Sequence, residues 1–178
     1  CFPRVSTNYD YLQIPDSTIH SNSNSITTLA DAQNFLYLIS SDIYPTRQEM
    51  ISAISATDFD LVLIDLFYEQ VAFSSAEISK LKTKANGGKR LVIAYMNIGA
   101  AEKFRYYFKS SWGLYHPLWL KKRYEGYKDE FWVKFWLKEW REIIYGNDNS
   151  YTKKILDAGF DGVYLDNVEA YYFLYYRN

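Results

Sequence analysis

The chain has 178 residues, enough for one compact domain of ordinary size. Its composition, 48% hydrophobic and 23% charged, excludes disorder on compositional grounds. Twenty Lys and Arg against 21 Asp and Glu leave a net charge of −1, which removes the electrostatic basis for binding nucleic acid. The triplet Lys121-Lys122-Arg123 therefore reads as a solvated face. One cysteine excludes an internal disulfide, and with two histidines, His20 and His116, it cannot supply a classical zinc site. No metal or cofactor is expected. No apolar run approaches the roughly 18 residues of a membrane span.

Aromatic residues make up 19% of the chain, with 18 Tyr, 11 Phe and 5 Trp. Without a basic excess, that bias suits carbohydrate, whose rings stack on aromatic faces without needing cations. A Tyr-rich core explains it equally well.

The chain begins with Cys1. A mature bacterial lipoprotein begins with its lipid-bearing cysteine, so a lipid anchor and an extracellular or cell-surface location are one expectation. The alternative is a chain that merely starts there. Residues 1–32 read as a polar leader or tether, with Ser21-Asn22-Ser23-Asn24-Ser25 as a flexible link. Residues 33–178 read as the folded body.

Phe35 to Ser40 is an apolar run of strand length. Pro45-Thr46 opens a helical pattern with Met50, Ile51 and Ile54 on one stripe. Leu61 to Phe67 is apolar on both faces, as in a buried parallel strand. Ser74-Ser75-Ala76-Glu77 marks a helix start and Asn86-Gly87-Gly88 its stop. Arg90 to Ile98 is a third strand ending at Gly99, and residues 100–109 read as helical. The stretch from Ser110 to Glu130 is long, aromatic and irregular. Phe131 to Trp136 reads equally as strand or helix. The helical spacing of Trp132, Trp136 and Trp140 is explained most cheaply by core packing. A helix from Asn149 or Ser150 stops at Gly159. Phe160 to Asp166 then reads as a fourth buried strand, and a helix begins near Asn167. This alternation predicts an α/β fold with a parallel sheet.

Asp65 and Asp166 end such strands, and Glu102 follows the third by a few residues. In parallel α/β folds the carboxyl ends of the strands open on one face, where ligands bind. Each acid also has a structural role available. Asp65 could cap the following connection, Glu102 could pair with Arg105 at i, i+3, and Asp166 could cap the last helix. Asp166-Asn167 places two polar side chains together, and there the functional reading is the stronger. The chain has no phosphate-binding loop and no nucleophile elbow. Paired carboxylates remain, and glycosidic bond cleavage is their typical work.

Several stretches taken together resemble glycoside hydrolase family 114, closest to its bacterial and archaeal extracellular branch. They are Tyr37 to Ser40, Phe59 to Asp65, Val92 to Arg105, Trp132 to Trp136 with Trp140, and above all Gly159-Phe160-Asp161-Gly162-Val163-Tyr164-Leu165-Asp166-Asn167-Val168. The match runs from about residue 33 to the end. The resemblance implies a (β/α)₈ TIM-type barrel of which about the first half, about four β/α units, is present. It also implies hydrolysis of α-1,4-linked galactosamine polymers, with Asp166 as a catalytic carboxylate and Glu102 and Arg105 near the sugar. The family commonly has an acid where Ala100 stands here.

On this reading the protein is a glycoside hydrolase-like protein acting on an amino-sugar polysaccharide. Asp166 serves as one carboxylate of the pair. Asp65, Glu102, Arg105 and Asn167 contact substrate, and Tyr95 and Trp132 offer stacking faces. The alternative is a carbohydrate-binding barrel protein without catalysis. A barrel of this type has eight strands and about 250 residues, and the resemblance implies that the partner acid of Asp166 lies on a later strand. The 178 residues alone are therefore expected to give no hydrolysis, and the open sheet edges to invite self-association.

Overall fold

The computed structural model describes residues 13–16 and 18–176. Cys1, and with it the expected lipid anchor, lies outside the described residues.

β1 (Phe35–Leu38) is followed by α1 (Arg47–Ser55). The Thr46 side chain accepts from the Glu49 N–H, and the Glu49 carboxylate accepts from the Thr46 N–H. This reciprocal cap satisfies two otherwise orphaned donors and contributes about 1 kcal/mol. Met50, Ile51 and Ile54 are the buried stripe, as their spacing predicts. β2 (Leu61–Asp65) leads into a short hairpin, β3 (Phe67–Tyr68) and β4 (Val71–Ala72), and then α2 (Ser75–Leu81), capped by Ser74 and Glu77 in the same way. α2 ends well before Asn86-Gly87-Gly88. Those residues instead turn the chain between bridged Thr83 and Lys89, with Gly87 at φ +90°.

β5 (Leu91–Asn97) is followed by β6 (Ala100–Glu102), where the sequence predicted a helix. Asn97 Oδ1 accepts from the N–H groups of Gly99 and Ala100, and the chain after it is held extended by the antiparallel pairing of β6 with β8 (Glu130–Val133). β7 (Leu120–Arg123) lies within the stretch read as irregular and pairs with the other edge of β8. α3 (Lys138–Ile144), α4 (Tyr151–Ala158), β9 (Gly162–Asp166) and α5 (Ala170–Tyr175) complete the order.

The main sheet has the order β1-β2-β5-β9, with β1–β2 and β2–β5 parallel. The four strands read from the sequence are these four. The expectation that β9 is buried fails: Val163, Tyr164 and Leu165 are 41–45% exposed. Its apolar pattern is that of an interior strand, but it stands at the sheet edge, where among the described residues no strand pairs beyond it.

The chain divides into two compact units. The first runs to Tyr95 and includes Ile155–Tyr164, and the second comprises Met96–Lys154 and the chain from Leu165. In the first, Leu61, Leu63, Ile93 and Tyr95 form a core on one sheet face, with Phe35, Tyr37 and Leu91 packed against it. The Ser21–Ser25 stretch, expected to be a free link, is held along its length. Asn22 Nδ2 donates to Asp60, Lys84 Nζ donates to Asn22, and Ile26 is buried with its N–H on Lys89 C=O. Behind Asn22, Lys84 Nζ lies 2.6 Å from Asp60 Oδ1, both side chains fully buried. No helix among the described residues is long and apolar enough to cross a membrane.

Candidate functional site

Asp65 and Tyr95 belong to the first unit. Asp65 Oδ1 accepts from the Phe67 N–H at 2.8 Å, the capping role its position allows. Tyr95 is buried, and its ring stacks on the exposed ring of Tyr164 with centroids 6.4 Å apart. Tyr37 meets the same Tyr164 ring edge-on at 6.2 Å.

The remaining candidates share the second unit. Asp166 closes β9, and its C=O accepts from the Ile98 N–H at 3.1 Å. In a parallel ladder that bond makes Asn97 the register neighbour of Asp166, so both side chains leave the same face. Asn167 follows at φ +59°, a left-handed conformation that Asn tolerates better than most residues. Its Oδ1 accepts from the Tyr124 hydroxyl at 3.2 Å. The last helix does not begin on either residue; its N-cap is Glu169.

Glu102 ends β6, and Arg105 grips it through Nε–Oε2 at 2.6 Å and Nη2–Oε1 at 3.3 Å. Both side chains are 5% exposed or less, so the i, i+3 pair is a buried, two-pronged ion pair. The guanidinium also lies over the rings of Phe104 and Tyr151. The Tyr107 hydroxyl accepts from the Glu102 N–H. Burial, and then the Glu102 charge, raises the Tyr107 hydroxyl far above its ordinary range.

Trp132 offers no open stacking face, which corrects the expectation for it. Its ring is sandwiched between Tyr124 (4.3 Å, 18°) and Phe173 (4.6 Å, 15°), and Nε1 donates to Glu125. At 1% exposure it is a core residue. Hydrogen bonds from Lys122 and Trp132 hold the Glu125 carboxyl down to about 2.

Sequence reasoning missed Glu130. The β6–β8 register sets it directly opposite Glu102, a pairing that brings Cβ atoms to within about 4.5–5.5 Å. Burial, followed by the charges of Glu102 and Asp166, pushes its carboxyl up to about 7 against the pull of Arg105. Reading 100–102 as a strand would have exposed it, since two short strands each bearing a terminal Glu then face each other. Among the described residues no group of three or more His, Cys, Asp or Glu is arranged to hold a metal.

A parallel α/β sheet with Asp166 at the carboxyl end of a strand is the arrangement in which barrel folds carry their functional side chains. The chain matches the model of glycoside-hydrolase family GH114 over residues 17–178, and it belongs to that family, a family of TIM barrels. It is 30% identical over 150 residues to an uncharacterized protein of Thermotoga maritima, covering 83% of this chain and 44% of the other. An uncharacterized protein of Methanocaldococcus jannaschii is 34% identical over 153 residues (84% and 41%). One from Deinococcus radiodurans is 31% identical over 125 residues (70% and 38%). The chain thus spans less than half the length of these relatives.

Proposed function

We propose that the protein is a glycoside hydrolase acting on an amino-sugar polysaccharide of the galactosamine type, with Asp166 as one carboxylate of the catalytic pair. The observation that carries this reading is the placement of Asp166 at the carboxyl end of β9, in the unit that also holds Glu102, Arg105 and Glu130, within a chain of family GH114. An amino sugar is cationic at neutral pH, which suits a site rich in carboxylates. The test is release of reducing ends from partly deacetylated galactosaminogalactan. Activity should disappear in Asp166→Asn; full retention overturns the assignment of Asp166.

A second reading, binding without turnover, draws on Ala100, which stands fully buried where the family commonly has an acid. Glycan binding with no reducing-end release from a protein extended to the length of its relatives supports this reading. We also propose an extracellular or cell-surface location, where a polysaccharide substrate of this kind is met. Fractionation that finds the native protein only inside the cell overturns that location.

A further inference from the structure

The residue after Asp166 is held in an unfavourable conformation by contacts from the β7–β8 hairpin. Asn167 stands at φ +59°, which costs any residue with a Cβ free energy unless its surroundings impose it. Three contacts within the second unit do so. The Tyr124 hydroxyl, immediately after β7, donates to Asn167 Oδ1 at 3.2 Å. The Asn167 C=O accepts from the Ala170 N–H at 3.1 Å, where α5 begins. The same carbonyl lies so close to Gly99 that no side chain fits between them. With Asn167 only 5% exposed, the turn is part of the interior.

Tyr124 is itself fixed in place. Its ring stacks on Trp132 of β8 with centroids 4.3 Å apart, and Tyr127 meets it edge-on at 5.2 Å. Phe173 of α5 stacks on Trp132 in turn, at 4.6 Å. These contacts close a circuit. Tyr124 holds the chain at Asn167, and further along α5 the same chain returns through Phe173 to the ring on which Tyr124 rests. Burial, then the charges of Glu130, Asp166 and Glu169 and neighbouring Tyr127, raises the Tyr124 hydroxyl above its ordinary value, so it keeps its proton and remains a donor through the neutral range.

We propose that Tyr124 is a positioning residue, whose hydroxyl locks the left-handed Asn167 turn and so fixes the direction in which β9 ends on Asp166. This inference rests on the reading of Asp166 as a catalytic carboxylate and adds to it a residue that acts only through the turn. The peptide joining Asp166 to Asn167 carries the C=O that receives the Ile98 N–H at 3.1 Å. A turn that relaxes to negative φ swings this peptide, loosens that last bond of the ladder and lets the Asp166 carboxyl drift. Misplacing a reacting group by about 1 Å can cost about 10²-fold in rate.

The experiment is Tyr124→Phe, which keeps the ring stack and deletes only the hydroxyl, in the protein extended to the length of its relatives, with partly deacetylated galactosaminogalactan as substrate. The expected result is a fall in kcat of about tenfold or more with KM within about twofold of the parent, the pattern of a lost transition-state alignment. In isotope-labelled protein, the HN–Hα coupling and Cβ shift of residue 167 should at the same time leave their left-handed values. Unchanged kcat overturns the role of Tyr124, and so does a KM that rises as far as kcat falls, which marks a direct substrate contact. Unchanged signals at residue 167 overturn the clamp. Full activity in Asp166→Asn overturns the reading of Asp166, and with it the effect on catalysis, while the signals of residue 167 still decide whether Tyr124 holds the turn. Where Tyr124→Phe folds poorly, the unaltered protein decides: its Tyr124 hydroxyl proton should exchange slowly with water and lie close to the Asn167 side-chain amide, and a freely exchanging hydroxyl overturns the proposal.

Discussion

Gly99 runs against the backbone of Asn167: a Cβ on residue 99 would come within 2.7 Å of the Ala170 side chain and closer still to the Asn167 carbonyl oxygen. The carbonyl is main chain and cannot swing aside. Gly99→Ala should therefore cost about 1–3 kcal/mol or more, the scale of overpacking a closed site. Urea unfolding measures the loss. A stability equal to that of the parent would show that the Asn167 turn moves freely.

The buried Asp60–Lys84 pair predicts a larger effect. Lys84→Met leaves a carboxylate out of water with only Asn22 and the Gln33 N–H to answer it. Removing one partner of such a pair costs about 3–5 kcal/mol, to be read from the denaturation midpoint. Burial alone would raise the Asp60 carboxyl, but hydrogen bonds from Lys84, Gln33 and Asn22 outweigh it and hold the group below its ordinary value. Its stabilisation is thus present above the ordinary carboxylate range and lost as pH falls through the lowered value.

Glu130 has the opposite sign. Its folded-state value, about 7, stands above the ~4.3 of an unfolded glutamate. The native state therefore holds the extra proton between those limits, and stability falls as pH rises through that window. Glu130→Gln removes this titration. Its stability relative to the parent should rise from about pH 4 to about pH 7.5 and then level off; a pH-independent difference would show that Glu130 titrates normally.

Trp132→Ala empties the middle of a three-ring stack. It should cost about 3–5 kcal/mol, as for other large aromatic truncations in cores. A variant of unchanged stability with weakened glycan binding would return Trp132 to the surface role that its residue type suggested.

The strands of the main sheet were legible because each is a short apolar run between turn signals, and the two capping boxes were written in Thr46-Glu49 and Ser74-Glu77. The small antiparallel sheet was not legible. Ala100-Ala101-Glu102 has high helix propensity, and Asn97 accepts from N–H groups in the pattern of a helix cap, yet the segment is extended because it pairs with β8, a partner distant in sequence. That tertiary override hid β6, and with β6 the Glu102–Glu130 juxtaposition, which no spacing in one dimension reveals. Trp132 illustrates the converse: residue type suggested a stacking platform, while its burial depends on Tyr124 and Phe173, which are far from each other in sequence.

The Asn22 clamp also sets where this protein can be trimmed or fused. A recombinant version starting at residue 27 would discard the amide that roofs Asp60 and the carbonyl that receives Lys84, opening the buried pair to solvent. It would also delete Ile26 from the interior. An affinity tag belongs ahead of His20, whose own carbonyl anchors the Asn34 side chain.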